Sequence, residues 1–353
     1  MMGIHGGDIY RNQVQYDFSV NVNPLGMPEE FRATMLEAMR KCQTYPDIEA
    51  GGLKQALSEK LQIPQSFLLF GNGASELFLG IIHAAKPKKI LIPVPSFYGY
   101  EYAAGASEGE IVYHVLQEEN QFLPGEDFLQ LLTEDVDVVF LANPNNPTGM
   151  RMERSYLEKV LTICRERNIL VVLDECFIEF CGEGASMQSE IANFPNLMLV
   201  RAFTKIFAIP GVRLGYLICS NTSLIKTVAG HLPEWNLSVF AQDLGVACTK
   251  QDAYIDRTVP YVREQRQFLQ ERLKQFGLKV WESDTNYILF YSDKPLYDML
   301  LEKGILIRDC ENFRGLAKGY YRIAVKSRKE NEMIVKAIGE CIGQNRAIAA
   351  GRD

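Results

Sequence analysis

The sequence lacks the cysteine and histidine patterns that bind metals or cross-link secreted domains. Its eight cysteines are scattered, no two form a Cys-x-x-Cys pair, and there are only four histidines. Zinc sites need closely spaced cysteines and histidines, and disulfide frameworks need cysteines at regular spacings. We therefore expect no metal site and no disulfides, and we interpret the cysteines as reduced, small residues of the core.

Long apolar runs and clusters of basic residues are also missing. The longest apolar stretches, such as Val136 to Ala142, are far shorter than the roughly 20 residues of a membrane-spanning helix. The first residues, MMGIHGG, have neither the basic flank nor the apolar core of a signal peptide. With 37 basic against 44 acidic residues the net charge is -7, which disfavours nucleic acid as a partner. These absences predict a soluble, cytoplasmic protein.

What the sequence does contain is a repeated order of strand, turn and helix from Phe67 onward. Val136 to Ala142 and Ile169 to Leu173 are nearly continuous apolar runs, and such runs are typical of strands that are buried on both faces. The pattern predicts an α/β fold with a mostly parallel sheet that is flanked by helices.

The pattern changes near residue 240. A long helical stretch over about Gln242 to Phe276 precedes short strands and a last helix, Arg328 to Gln344. At 353 residues the chain is also too long for one ordinary core. We predict a large domain over residues 31–240, and a smaller α+β domain formed by residues 1–30 and 241–353.

One lysine lies in a bend between two apolar, strand-like runs. Lys205 follows the run Leu197 to Val200, and Arg213 comes eight residues later, at the start of the run Leu214 to Ile218. An amine in apolar surroundings has a lowered pKa because its charged form is desolvated, and a partly neutral amine can form a Schiff base with an aldehyde. Taken alone, however, a loop lysine is more often a solvated surface charge.

A glycine-rich turn joins a predicted strand to a predicted helix. After Gly71 and Asn72, the amides of Gly73, Ala74 and Ser75 stand where the first turn of a helix can hold a phosphate. The third glycine of a dinucleotide site and the Gly-Lys-Ser or Gly-Lys-Thr of a triphosphate site are absent. A capping turn without a ligand is the alternative.

Two polar side chains follow buried strands. Asp174 comes at the carboxyl end of the run Ile169 to Leu173, where α/β sheets carry their sites, and a carboxylate there can pair with a protonated pyridine nitrogen. Asn146 lies in the loop after the preceding strand and can donate to a phenolic oxygen. Taken singly, each could be an ordinary loop residue.

Together these groups match the chemistry of one cofactor. A phosphate site, a ring-nitrogen acid, a ring-oxygen donor, an aldehyde-binding lysine and a second phosphate charge occur at strand ends of one predicted sheet. This set predicts that the protein binds pyridoxal 5'-phosphate.

The motifs resemble those of a known superfamily. Asn143 to Gly149, Asp174, Thr204-Lys205 and Arg213 look like the motifs of fold-type I aminotransferases, and the chain is similar to their histidinol-phosphate aminotransferase branch. It resembles more closely the threonine-phosphate decarboxylases, the lyases of cobalamin synthesis, which have a His-Gly-Gly arm and an Asp-Phe-Ser-x-Asn-x-Asn-Pro-Leu-Gly segment. These segments stand here as residues 5–7 and 17–26.

The resemblance implies a role for each cofactor residue. Lys205 would be the Schiff-base lysine, Asp174 the partner of the pyridine nitrogen and Asn146 the ring-oxygen donor. Phe97 would stack on the ring, and Tyr45 would reach the cofactor phosphate of the neighbouring subunit, so that a homodimer is expected. The remaining implied cofactor contacts, mostly to the phosphate, are Gly73, Ala74, Ser75, Thr204 and Arg213.

The resemblance also implies a phosphorylated amino acid as the substrate. Arg322 would bind its carboxylate, and His5, Asn21 and Arg308 would surround it, with its phosphate near His5 and Arg308. The implied reaction is decarboxylation of L-threonine O-3-phosphate to (R)-1-aminopropan-2-yl phosphate. An aminotransferase acting on histidinol phosphate or another amino acid is the alternative, and a non-catalytic, cofactor-binding regulator is a more remote one.

Two positions depart from the usual family pattern. Ala202 stands where a serine or threonine hydroxyl would contact the cofactor phosphate, and Phe177 stands where aminotransferases have a tyrosine that hydrogen-bonds the ring oxygen. A phenylalanine at this position resembles the decarboxylases, so it favours the lyase.

Overall fold

The computed structural model describes residues 6–343, so the predicted substrate residue His5 lies outside the described part of the chain. Within that range there are thirteen strands and twelve α-helices. The strands are β1 (Tyr16–Asp17), β2 (Leu68–Gly71), β3 (Lys89–Val94), β4 (Glu110–Val115), β5 (Val138–Ala142), β6 (Leu170–Asp174), β7 (Leu197–Ala202), β8 (Gly215–Ile218), β9 (Lys279–Val280), β10 (Tyr287–Tyr291), β11 (Ile305–Leu306), β12 (Arg308–Asp309) and β13 (Tyr320–Ala324). The helices are α1 (Glu30–Met39), α2 (Gly51–Leu61), α3 (Ala74–Ala85), α4 (Tyr98–Ala104), α5 (Glu126–Gln130), α6 (Arg154–Glu166), α7 (Phe203–Ile206), α8 (Thr222–Ala229), α9 (Val239–Cys248), α10 (Asp252–Gln275), α11 (Leu296–Leu301) and α12 (Arg328–Cys341).

A seven-stranded sheet forms the centre of residues 68–218. Its strand order is β2-β8-β7-β6-β5-β3-β4. Every neighbouring pair from β7 to β4 is parallel, whereas β8 runs antiparallel to both β2 and β7. The predicted α/β fold with a mostly parallel sheet is confirmed. In this arrangement the carboxyl ends of β5, β6 and β7 lie side by side.

Helices cover both faces of this sheet, and the side chains of each strand alternate between the two. Val138 and Phe140 of β5 pack in the apolar cluster with α3, α4 and α8, while Val139 and Leu141 pack in the cluster with α6. Each of these four side chains is at most 1% exposed. Burying such a side chain contributes about 1.5–3 kcal/mol each, so both faces stabilise the sheet.

A four-stranded antiparallel sheet, β12-β13-β10-β9, lies in the C-terminal part of the chain. Helix α10 packs against β9 and β10 of this sheet, and α12 packs against both α10 and α11. Helix α12 begins with a capping box, in which Ser327 and Glu330 satisfy each other's backbone amides. Among residues 6–343, no helix combines the length and the apolarity that a bilayer crossing requires.

The long helical stretch predicted over about Gln242 to Phe276 is divided into two helices in the structure. Helix α9 ends at Cys248, and α10 begins at Asp252. At the break the Thr249 hydroxyl donates to the carbonyl of Val246, and the acidic side chain of Asp252 lies in the first turn of the new helix, where a negative charge is favourable.

The N-terminal segment joins the C-terminal part of the chain. Strand β1 pairs in parallel with β11, and the backbone of Phe18 bonds to Leu306 and Ala324. The division into residues 31–240 and residues 1–30 with 241–353 stays a prediction.

Candidate active site

One cavity lies at the carboxyl ends of β5, β6 and β7, between the two sheets. Its volume is about 280 Å³. Most of the residues predicted from the sequence line it: Asn21, Gly73, Ala74, Ser75, Phe97, Asn146, Asp174, Thr204, Lys205, Arg213, Arg308 and Arg322. The structure therefore brings together side chains that are separated by up to 301 positions in the chain, from Asn21 to Arg322.

Lys205 lies in α7, the single helical turn that follows β7. Its side chain faces the cavity, and its Nζ lies 5.9 Å from the centre of the Phe177 ring. Desolvation lowers the pKa of Lys205 from 10.5 to about 8, and the positive charges of Arg322 and Arg213 act in the same direction. A substantial fraction of the amine is therefore neutral near physiological pH, as attack on an aldehyde requires.

Asp174 is the last residue of β6 and is only 9% exposed. Its Oδ1 accepts a hydrogen bond from the Cys176 amide at 2.8 Å, and its Oδ2 accepts one from the Tyr100 hydroxyl at 2.5 Å. Desolvation raises the pKa of Asp174, while the hydrogen bonds from Cys176 and Tyr100 oppose that shift. The carboxylate thus sits in the cavity wall with two donors supporting its charged form.

The turn before α3 is shaped around Arg213. Gly73 has a φ of 79°, and a Cβ added there would overlap Nη2 of Arg213. The Gly73 amide donates to the carbonyl of Gly71 at 2.7 Å, so the amides of Ala74 and Ser75 remain to bind a ligand at the start of this twelve-residue helix. The guanidinium of Arg213, the helix dipole and these two amides together favour an anion.

Arg308 and Arg322 form a pair of buried positive charges. They lie directly opposite each other in the β12–β13 ladder, each is 6% exposed, and both line the cavity. Desolvation lowers the pKa of both, that of Arg322 to about 10. The two guanidinium groups repel each other and are shielded from water. The site therefore favours a negatively charged ligand.

The residues around Arg322 determine the orientation of its guanidinium group. It donates to the Ser19 carbonyl at 2.9 Å and to Oδ1 of Asn146, and its guanidinium lies 5.3 Å from the centre of the Tyr287 ring. Asn21 can accept from Nε and Nη1 of Arg322 at 3.3 Å when its amide oxygen faces them. Because Oδ1 of Asn146 accepts the hydrogen bond from Arg322, the Nδ2 group of Asn146 remains available to donate to a ligand in the cavity.

The positions that depart from the family pattern also lie in the cavity wall. Ala202 ends β7 and contributes a methyl group but no hydroxyl. The Phe177 ring packs edge-on against Tyr287, with ring centres 5.0 Å apart and an interplanar angle of 79°. The wall beside Lys205 is therefore more apolar than a tyrosine would make it.

Tyr45 does not line the cavity of its own subunit. It is 81% exposed, and its ring lies 4.9 Å from that of Trp235. Its predicted contact with the cofactor of a neighbouring subunit stays a prediction.

Sequence reasoning missed several residues that line the cavity, among them Tyr100, Glu101 and Arg314. Tyr100 donates to Asp174, and Glu101 forms an ion pair with Arg314 at 2.8 Å. Tyr100 could have been predicted to lie near the cavity, because it follows Phe97 by three residues, which is about one helical turn. The Glu101–Arg314 ion pair joins α4 to the loop between β12 and β13. No pattern in the sequence predicts this contact.

The donors of the cavity fit pyridoxal 5'-phosphate. Because Gly73 has no side chain, Arg213 can lie at the start of α3, where it could bind the cofactor phosphate. Asp174 could pair with the pyridine nitrogen, and Lys205 could react with the aldehyde. The ring would lie against Phe97, which also borders the cavity.

The chain belongs to the class I and II aminotransferase family, whose model matches residues 13–338. It is accordingly a pyridoxal-phosphate-dependent enzyme, which favours catalysis over the non-catalytic alternative.

Individual relatives include both activities that the sequence suggested. The chain is 33% identical over 326 residues to threonine-phosphate decarboxylase of Salmonella typhimurium strain LT2, covering 91% of this chain and 90% of that one. The structure is similar to that of histidinol-phosphate aminotransferase from Clostridium acetobutylicum, with a TM-score of 0.87, 32% identity and coverage of 93% and 99%. It is also similar to L-threonine-O-3-phosphate decarboxylase from Porphyromonas gingivalis, with a TM-score of 0.81, 26% identity and coverage of 92% and 98%.

Proposed function

We propose that the protein decarboxylates L-threonine O-3-phosphate to (R)-1-aminopropan-2-yl phosphate and CO2. The observation that carries this proposal is the buried pair of Arg308 and Arg322, which faces the same cavity as Lys205. Similarity to the threonine-phosphate decarboxylases of two organisms supports the choice of reaction.

The arginine pair suits a substrate with two separate negative groups. Cross-strand neighbours have Cβ atoms about 4.5–5.5 Å apart, so the two guanidinium groups can contact both ends of one small molecule. L-Threonine O-3-phosphate carries a carboxylate and a phosphate on neighbouring carbons. Its carboxylate and phosphate would bring negative charge to two guanidinium groups that lie side by side in a buried site.

Each residue of the cavity has a defined part in this proposal. Pyridoxal phosphate, when bound, supplies an aldehyde for the substrate amine and a ring that accepts electrons from a bond broken at Cα. Asp174 holds a proton at the ring nitrogen. Arg322 binds and orients the substrate carboxylate, and Arg308 binds the phosphate. Lys205 can then deliver a proton from Nζ to Cα after CO2 has left.

The direction of the carboxylate decides between decarboxylation and transamination. The residue that directs the substrate carboxylate would therefore control which bond at Cα breaks when the cofactor is bound. Arg322 suits this part because Ser19, Asn146 and Tyr287 hold its guanidinium in one orientation. Phe177 supports the lyase as well, since no phenol stands at that position.

A histidinol-phosphate aminotransferase is the second candidate. The structural similarity to the enzyme from Clostridium acetobutylicum favours it. Histidinol phosphate carries a phosphate but no carboxylate, so in this reaction Arg322 would bind a carboxylate only when the keto acid is present.

The deciding experiment supplies the enzyme with pyridoxal phosphate and L-threonine O-3-phosphate in the absence of any keto acid. We expect stoichiometric CO2 and the amino alcohol phosphate, with L-threonine itself a far poorer substrate because it has no phosphate for Arg308 to bind. A product that forms only when 2-oxoglutarate is added, or turnover of histidinol phosphate but not of threonine phosphate, would refute the decarboxylase.

We further propose that the enzyme is a homodimer and works in the cytoplasm. Tyr45 and Trp235 form an exposed aromatic pair, and the exposed apolar side chains of Met39 and Ile48 lie in the neighbouring segments of the chain. A second copy of the chain would cover these residues. All eight cysteines are free thiols, which suits a reducing compartment.

A further inference from the structure

Tyr100 connects α4 to the buried carboxylate at the end of β6. Its side chain is 1% exposed, and its hydroxyl donates to Oδ2 of Asp174 at 2.5 Å. Hydrogen bonds from a hydroxyl to a carboxylate are short and about twice as strong as those between neutral groups. This is the one hydrogen bond from a side-chain oxygen to Asp174 in the described part of the chain.

Apolar contacts hold the Tyr100 ring in place. It stacks on Phe140 with ring centres 5.2 Å apart and an interplanar angle of 15°. Phe78 and Phe97 pack against it edge-on, at 5.2 Å and 5.7 Å and both at 84°. With rings on several sides the phenol has one available orientation, so the position of its hydroxyl is set by the core rather than by Asp174.

Tyr100 and Cys176 both donate to the Asp174 carboxylate, whose remaining lone pairs can accept from a ligand in the cavity. The Cys176 amide occupies one lone pair of Oδ1, and the Tyr100 hydroxyl occupies one lone pair of Oδ2. An ionised carboxylate in a buried site is costly unless donors compensate for the lost water. Burial also raises the pKa of Tyr100 well above its ordinary value, so the phenol keeps the proton that it donates.

We propose that Tyr100 is a positioning residue, which keeps Asp174 ionised and directed at the ring nitrogen of the cofactor. The inference rests on the proposed part of Asp174 but not on the choice of substrate. Without the hydroxyl, Asp174 loses one of its donors and would hold a proton at the ring nitrogen less firmly. The variant would therefore stabilise the charge that develops at Cα less well.

The test replaces the hydroxyl and keeps the ring. Tyr100→Phe enzyme is loaded with pyridoxal phosphate that carries ¹⁵N in the ring, and the ¹⁵N chemical shift reports whether that nitrogen is protonated. We expect the shift to move from the pyridinium range toward the neutral pyridine range. We also expect kcat to fall roughly 10- to 100-fold, the effect of losing one hydrogen bond to a buried charge, with KM little changed.

Tyr156→Phe is the matched control, because its hydroxyl donates to the carbonyl of Gly125 and it does not line the cavity. Its ¹⁵N shift should equal that of the wild type. A wild-type shift in Tyr100→Phe would overturn the inference about Tyr100. A wild-type shift in Asp174→Asn would overturn the proposed part of Asp174, and with it the basis of the inference. The conclusions about Tyr100 and Asp174 do not depend on whether threonine phosphate is the substrate.

Discussion

At the scale of single residues, the chemistry depends on how easily Lys205 loses a proton. Arg213 and Arg322 line the same cavity, and the Phe177 ring beside Lys205 supplies no polar contact. Desolvation and the charges of Arg322 and Arg213 both favour the neutral amine, so the lowered pKa follows from the composition of the cavity wall.

This predicts the pH dependence of Lys205 reactivity in the cofactor-free protein. Well below pH 8 most of the amine is protonated and unreactive, and its labelling rate should rise through a midpoint of about 8 and level off above it, instead of rising near 10.5. Competitive labelling with an amine-specific reagent, followed by peptide mass spectrometry, measures the profile. The exposed Lys329 provides an internal reference in the same chain. A midpoint for Lys205 near 10.5 would show that the cavity does not desolvate it.

At the scale of secondary-structure elements, the junction between β2 and α3 determines where an anion can bind. The chain turns at Gly73 with a φ of 79°, and the space where a side chain would begin is taken by Arg213 from the start of β8. Strands β2 and β8 are neighbours in the sheet, so their pairing brings the guanidinium to the first turn of the helix.

Gly73→Ala should weaken the binding of pyridoxal phosphate. The left-handed conformation costs a residue with a Cβ about 1–2 kcal/mol, and the new methyl group displaces Arg213, so we expect a Kd at least about 5- to 30-fold higher. Titration of the cofactor-free protein with pyridoxal phosphate, followed by absorbance, measures this Kd.

Gly52→Ala is the control for that variant. Gly52 lies in α2, and a Cβ there would meet nothing within 4 Å. The change should leave the Kd as it is and stabilise the helix by roughly 0.5–1 kcal/mol. If both alanine variants bound the cofactor equally well, the anion site would not depend on Gly73.

At the scale of the whole molecule, the open question is whether one subunit completes the site of another. Tyr45 lies outside the cavity of its own chain, and its exposed ring is held against Trp235. A contact with the cofactor therefore requires a second copy, and a symmetric dimer would place each Tyr45 at the partner's cavity.

A hybrid dimer tests this arrangement. Tyr45→Phe and Lys205→Ala chains, with different affinity tags, are co-expressed, and the mixed dimer is purified. If Tyr45 acts across the interface, the mixed dimer has one complete site and should hold about half the wild-type amount of pyridoxal phosphate at limiting cofactor. If Tyr45 acts within its own chain, no site is complete, and the mixed dimer should retain no more cofactor per intact lysine than the Tyr45→Phe homodimer. Sedimentation equilibrium gives the oligomeric state.

The sequence by itself determined the layered architecture and twelve of the residues around the cavity. Apolar runs such as Val136 to Ala142 predict buried parallel strands, and the carboxyl ends of parallel strands lie at one edge of a sheet. Lys205, Asp174 and Asn146 each follow such a strand, so their convergence could be predicted from local spacing.

Only the tertiary structure decided the contacts between distant segments. Tyr100 meets Asp174 across 74 positions because α4 packs on the sheet, and Arg308 faces Arg322 because of the register of two short strands. The Gly73 amide bonds to Gly71, which the glycine motif did not indicate. Local spacing encodes helices and strands because their periods are fixed, whereas contacts between them depend on packing that involves the whole core.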